Sequence, residues 1–409
     1  MEWKEYKLGD VCEITSSKRI FYSEYEDSGV PFYRSKEIIN LFNKQEIATE
    51  LFISEERYKE IKEKFGVPQK NDILLTSVGS IGIPYLVKEN DKFYFKDGNL
   101  TWIRNYDARK IDPLFLYIWI ISEVGKRTLE ILSMGAAQAA LTISRLKEAK
   151  IFLPSINEQR AIASILSNYD MLIDINTKRI KLLEESAREL YKEWFVRMRF
   201  PGYEKAKFVK GIPVGWDVKT IDEICDSVGG GTPSTSNANY WGGKIKWVTP
   251  TDITSKQSLP LINIEGRITE AGLRQSSTKL LPAGAILMTS RASIGFFGIC
   301  KEQVCTNQGF ISIIPNEENL RMYMLCNLMM RREEIISNAN GATFLEISKG
   351  RFRKMEMLIP NNDVLSAFEE RCSTTFDAVY NLEIQNQNLA AARDRLLPRL
   401  LSGELKVKT

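Results

Sequence analysis

The chain contains no histidine, which removes the commonest general base, the Ser-His and Cys-His nucleophile pairs and the usual zinc ligand together. Any catalysis would rest on carboxylates or lysines. The Asn/Asp-Pro-Pro-aromatic segment of amino-methyltransferases, a helicase nucleotide loop and a nuclease carboxylate-Lys cluster do not stand out in the sequence, and Asp112-Pro113-Leu114-Phe115 only imitates the first. Six cysteines, Cys12, Cys225, Cys300, Cys305, Cys326 and Cys372, form no CxxC pair and read as reduced, mostly buried thiols.

What remains is binding chemistry. The loop GGGTP at 229–233 lacks the Gly-Lys-Ser/Thr that completes a nucleotide loop, so it reads as a turn positioning Thr232, Ser234 and the nearby Tyr240-Trp241 rather than as a phosphate cradle. Thr76-Ser77 and Thr289-Ser290 each follow a short apolar strand and precede Ser-Ile-Gly. That places small hydroxyls and a glycine where a backbone can approach a ligand, and equally where a tight turn would recur with a repeated fold. Tyr33, Arg34, Lys36, Arg104, Gln138, Arg145, Thr249, Arg274, Arg291, Asn307, Gln308 and Arg351 are of types that reach phosphates or base edges. A solvated surface role competes for each. Among them Arg291 is expected at a reading face, because its flanks are kept between two copies while its counterpart is Val78.

Those copies are the main organisational signal. ILLTSVGSIG at 73–82 matches ILMTSRASIG at 286–295 at seven of ten positions, a shift of 213 that also carries Trp3 onto Trp216 and Cys12 onto Cys225. Further on the shift is 206, taking Gly135-Ala136 to Gly341-Ala342 and Pro154 to Pro360. Each copy is a Gly/Pro-punctuated mixture of strands and short helices followed by a helix-forming stretch. In the first, 157–197, apolar positions step by four and three through Ile162, Leu166, Tyr169, Ile173, Asn176, Ile180, Leu183, Ala187, Leu190 and Trp194. In the second, from about 363, they run through Leu365, Phe368, Cys372, Thr375, Val379, Leu382, Asn386, Leu389, Arg393, Leu396 and Leu400, with Pro398 expected to break the last turns. Asn176 and Asn386 either set the register of helix pairing or face water where the seam loosens.

Net charge is +4, and residues 1–154 hold 23 basic against 23 acidic side chains, residues 212–360 16 against 14. No segment is a basic arm, so any nucleic-acid binding concentrates charge locally or shares it with partners. The start MEWKEYKLGD has no signal-peptide layout and no stretch reaches 18 uninterrupted apolar residues, which predicts a cytoplasmic protein.

The pieces GGTPS at 230–234, YWGGKIKWVTPTDI at 240–253, LPSINEQRAIA at 153–163, LYKEWF at 190–195 and LLPRLLSGEL at 396–405 resemble the specificity subunits of type I restriction-modification systems over essentially the whole chain. The resemblance implies an α+β (mixed α/β) fold with a pseudo-two-fold internal repeat. Two target-recognition domains, 1–154 and 212–360, would each read half of a split DNA sequence in the major groove. Two long antiparallel coiled-coil helices in the segments 155–211 and 361–409 would separate them. It implies coiled-coil and partner contacts through Glu158, Gln159, Ile162, Leu166, Asn176, Leu183, Trp194, Phe195, Asn386, Leu389, Leu397 and Leu400. It also implies double-stranded DNA, two methyltransferase subunits and restriction motor subunits as partners. The chain itself would carry no catalytic centre, metal or cofactor, with S-adenosylmethionine, ATP and Mg2+ held by the partners. A non-catalytic scaffold with duplicated protein-binding domains is the competing reading. One departure is the start of the second helix, NNDVLSAF at 361–368, which lacks the Glu-Gln-x-x-Ile-Ala of the first.

Overall fold

The computed structural model describes residues 3–47, 49–134, 140–255, 258–341 and 345–407. It divides into two compact units, Met1–Met171 with Leu389–Thr409, and Leu172–Asn388. The helical regions expected as separate segments are thus shared out, each unit holding part of both long helices.

In the first unit, strand Lys4–Lys7 pairs antiparallel with Lys150–Leu153. A four-stranded antiparallel sheet runs in the order Glu13–Thr15, Leu100–Arg104, Ile73–Thr76, Pro84–Leu86. A three-stranded sheet runs Phe52–Ile53, Val30–Tyr33, Tyr94–Phe95, the last two parallel. The second unit repeats the plan: Asp217–Thr220 with Glu356–Ile359, then Cys225–Gly229, Phe310–Pro315, Ile286–Thr289, Phe297–Ile299, then Arg267–Ile268, Trp241–Val248, Val304–Thr306 with the last two parallel. The duplication read from the sequence is a duplication of sheet order. Part of the fall in shift is a shortened helix, Arg332–Ser337 standing where the first unit has Glu123–Ser133.

Central strands explain why ILLT and ILMT carry no polar alternation. Side chains alternate between sheet faces, and in Ile73–Thr76 one face sends Ile73 and Leu75 into the core beside the helices while the other sends Leu74 into a second core with Phe95 and Trp102. Ile286 and Met288 against Leu287 divide in the same way. Both faces are covered, so the run is apolar throughout.

The long helices span Ile156–Tyr191 and Asn362–Leu401, about 54 and 60 Å at 1.5 Å per residue. In the first unit Ile162 and Leu166 share a core with Leu400, flanked by Leu396, Leu397 and Leu401, and Arg393 pairs with Asp170. In the second, Ile180 meets Val379 and Leu382 beside Leu183, and Tyr191, Trp194 and Phe195 surround Phe368. Within each unit, later positions of one helix meet earlier positions of the other, so the seams pair antiparallel. Two details differ from expectation. Pro398 does not break the helix, which continues to Leu401; lying in the last turn, it disturbs little of the hydrogen-bond ladder. The first helix stops at Tyr191 and opens into a π turn, Lys192–Val196.

Asn176 is buried rather than facing water, and Asn386 is half-buried with an Oδ1 that finds no hydrogen-bond partner among the described residues. The two lie one helical turn from the Ile180–Leu382 contact, in the directions an antiparallel register requires. All six cysteines are buried, and among the described residues none is joined in a disulfide. Cys12 and Cys225 repeat each other, their thiols donating to the Leu8 and Ile221 carbonyls at 3.2 and 3.3 Å.

Phe368 is fully buried at the centre of the aromatic cluster of the second unit. Phe368→Ala should lower stability by about 3–5 kcal/mol through lost burial and an unfilled cavity, read as a shift in the urea midpoint of that unit's unfolding. A change below 1 kcal/mol would mean the seam is not held there.

Candidate nucleic-acid interface

Several predicted contact residues are consumed by the fold. Thr76 and Thr289 are fully buried. Thr76 Oγ1 donates to the Ser80 carbonyl and accepts the Ile83 amide at 2.9 Å, and Thr289 Oγ1 does the same with Ser293 and, at 3.0 Å, Phe296. Gly82 and Gly295, at φ +84° and +75°, let their amides return to the Thr76 and Thr289 carbonyls, a backbone conformation side chains resist. Ser77 Oγ shares a 2.6 Å hydrogen bond with Thr101, and Ser290 is buried with both backbone groups bonded, to Gly309 and Ile347. These four residues close a repeated turn, and their assignment as DNA contacts is corrected.

Arg145 and Arg351 occupy equivalent positions, 206 apart, and do equivalent work. Arg145 Nη1 donates to the Leu132 and Met134 carbonyls at 3.0 and 2.6 Å, and Arg351 Nη1 to the Asn338 carbonyl and Asn340 Oδ1 at 3.1 and 2.8 Å. Each satisfies the open end of the preceding helix. Arg104 reaches Glu13 at 3.0 Å and lies over Trp102. Arg34 pairs at 3.0 Å with the buried Glu37, Tyr33 stacks on Phe93, and Thr249 caps a short helix through Asp252. Each of these residues thus makes a contact within the fold, while Arg145 and Arg351 remain exposed and the Nε atoms of Arg34 and Arg104 have no hydrogen-bond partner among the described residues. Gln138 falls outside the described residues. Lys36 and Arg274 are exposed.

What gathers on one edge of the second unit is a smaller set. Gly230 runs so close to the turn after Val304–Thr306 that a Cβ on it would sit 2.0 Å from the Asn307 carbonyl, and a Cβ on Gly231 would sit 2.5 Å from the Thr278 amide nitrogen; these two close approaches explain the glycines. Beside them Thr232 Oγ1 donates to Gln308 Oε1 at 2.6 Å, and Asn307 Oδ1 accepts the Gly309 amide at 2.8 Å. Trp247 Nε1 donates to the Gly231 carbonyl at 3.0 Å, and Trp241 packs edge-on to Trp247 with its Nε1 on the Ser234 carbonyl. Tyr240 is half-buried, its carbonyl accepting the Thr269 amide. Because Ser290 bonds to Gly309, the same turn brings in Arg291, which is exposed.

The first unit has the corresponding edge, and the residues on it escaped the sequence reading. Arg19 aligns with Thr232 at the shift of 213, and Arg19 Nε binds Asp97 Oδ2 at 2.8 Å where the second unit has Thr232 on Gln308. Lys18 donates its amide to Tyr94 Oη at 2.7 Å and is itself exposed. Ser77 bonds to Asn99 as Ser290 does to Gly309. Carrying the 213 shift through residues 16–20 would have found the pair. The scaffold is common to both edges and the exposed polar pair differs, Arg-Asp against Thr-Gln.

The helix candidates are mostly buried. Gln159 is fully buried and its amide binds the Lys110 and Pro154 carbonyls while its Oε1 accepts the Asp112 amide at 3.0 Å. It anchors the helix start and does not face a partner. Leu365 fills the equivalent place in the second unit, also buried, which accounts for the missing Glu-Gln motif. Trp194 and Phe195 are likewise core residues, whereas Glu158 and Leu389 remain partly exposed. Among the described residues no cluster of three or more His, Cys, Asp or Glu could hold a metal, and no helix is long and apolar enough to cross a membrane.

Thr289→Val should destabilise by about 1–3 kcal/mol, because the buried Thr289 hydroxyl is lost and the Phe296 amide and Ser293 carbonyl lose their partner. Arg291→Ala should stay within about 0.5 kcal/mol, as an exposed residue outside such networks. Thermal melts of the two variants separate these outcomes, and a large loss for Arg291→Ala would give it a structural role.

A family model described as "Type I restriction modification DNA specificity domain" matches residues 1–185 and 213–391. The HindI specificity subunit of Haemophilus influenzae is 23% identical over 99% of this chain and all of its own length, and the MjaIX specificity subunit of Methanocaldococcus jannaschii is 33% identical over 48% of this chain and 46% of its own. A type I restriction-modification S subunit from M. genitalium has the same fold, with a TM-score of 0.64 at 16% identity, covering 98% of this chain and 96% of that one. With one such domain matched on each half of a duplicated fold, the chain belongs to the type I restriction-modification DNA specificity family.

Proposed function

We propose that the two modules read separate halves of one asymmetric duplex DNA sequence for a type I restriction-modification complex. Each uses the edge built from the glycine or serine segment, the turn that faces it and the turn carrying Val78 or Arg291. One observation carries this: the same scaffold is built twice, and it diverges where exposed polar groups meet, at Arg19–Asp97 and Thr232–Gln308. A bipartite target needs two readers of one geometry and different chemistry. The near-neutral modules leave nonspecific phosphate attraction weak, so partner subunits share the load on DNA. Two methyltransferase subunits dock on this chain and restriction motor subunits join through them. Adenine methylation with S-adenosylmethionine and ATP- and Mg2+-dependent cleavage belong to those partners, in the cytoplasm.

Exchange of residues 212–360 for those of a relative should change one half-site in the methylation pattern and leave the other intact. A change in both, or in neither, contradicts the modular reading. Inserting one heptad in the first long helix should alter the spacing between half-sites and leave their sequences unchanged. Arg291→Ala in the reconstituted complex should cost about 1–3 kcal/mol in binding and relax one base position if the guanidinium contacts a base. Uniform weakening with a shallower salt slope would instead mark a phosphate contact. An unchanged profile would remove the turn from the interface.

A further inference from the structure

Immediately after Arg19 the first unit presents two aromatic rings to solvent. Phe21 is 60% and Tyr22 90% exposed, an arrangement that costs hydration free energy unless a partner covers it. The turn that holds them is not loose. Ile20 is buried in the small core below, the Phe21 amide donates to Glu24 Oε2 at 2.7 Å, and Glu24 Oε1 is held by Arg57 Nε at 2.7 Å. Tyr22 packs edge-on against Tyr25, which packs on Phe32. Lys18, on the other side of Arg19, is exposed and lies over the ring of Phe65, itself 45% exposed. Two rings are therefore fixed in a braced turn, next to two cations, on the edge that carries Arg19–Asp97. At the shift of 213 the second unit has Ser234 and Thr235 in these places, both exposed.

We infer that Phe21 and Tyr22 form an aromatic base-contacting wedge particular to the first module, seated against the bases of one half-site while Lys18 and Arg19 face the adjoining phosphates. Duplex DNA is the occupant that fits. Its bases offer flat apolar faces and thymine methyls, its backbone matches the cations, and a rigid aromatic at the protein surface can unstack a base step and be repaid by the contact made. The braced turn lowers the ordering cost of that contact. The second module, with hydroxyls in place of rings, then reads its half-site by hydrogen bonds. This rests on the reading of the first module as a DNA-binding domain.

The test uses the assembled complex and a duplex carrying the target found by methylation sequencing, together with duplexes in which each half-site is scrambled in turn. Tyr22→Ala and Phe21→Ala should weaken binding to the cognate duplex roughly ten- to hundredfold, the range of aromatic-base contacts. Tyr22→Trp should retain most of it. The salt slope should not change, since no phosphate contact is lost, and scrambling one particular half-site should erase the difference from wild type. A 2-aminopurine placed in that half-site should brighten with wild type and not with Tyr22→Ala. Melting temperatures of the variants report on folding. Wild-type affinity in both alanine variants, or equal loss whichever half-site is scrambled, overturns the wedge while leaving the DNA reading intact. Failure of the wild-type complex to prefer its target overturns the DNA reading and the wedge with it.

Discussion

Each module is closed by an antiparallel pair of strands just before its long helix begins. Lys4–Lys7 lies on Lys150–Leu153, three residues before Ile156, and Asp217–Thr220 lies on Glu356–Ile359, three before Asn362. The first and last segments of a module are thereby fixed to each other at the helix start, and everything between them is a loop-rich excursion whose ends do not move. Gln159 reinforces the joint in the first unit by bonding to the 110–112 segment, and Leu365 does so by packing in the second. With the joint fixed, exposed turns can change without disturbing the seam.

The division of polar groups follows from that constraint. Thr76 and Thr289 are identical because each, itself buried, must satisfy an amide and a carbonyl of the turn that follows it, and an unpaired group at such a site is costly. Arg145 and Arg351 are identical because both close a helix end. Arg19–Asp97 and Thr232–Gln308 are exposed pairs on the same scaffold, and there substitution costs little stability. Identity between copies therefore marks scaffold, and the difference at the edge marks the surface to which the function proposed above assigns the two specificities.

This also explains how much was legible from the sequence. The duplication, the apolar central strands and both helix seams were readable because burial imposes a period on many residues at once. The same seams contain Asn176 and Asn386, but whether these two face each other or water was not legible from the sequence. The candidate contacts were less legible because an arginine or a threonine looks alike whether it caps a helix or faces solvent. Arg104, Arg145 and Arg351 bond to carbonyls and a carboxylate more than ten residues away in sequence, which no local pattern encodes. Arg19, Phe21 and Tyr22 were missed for the opposite reason. Their residue types are not kept in the second copy, so only the shift marks them, and their setting depends on Asp97 and Arg57, brought near by the fold.

In the function proposed above, two modules of one geometry read two different short sequences held at a fixed spacing. Methylation-aware sequencing of a genome carrying this chain with its methyltransferase partner, compared with the same genome lacking the chain, tests it most directly. One modified motif of two unlike half-sites separated by a constant run of unspecified bases, absent without this chain, is expected. A continuous motif, two identical half-sites, or the same modification with the chain deleted would contradict it.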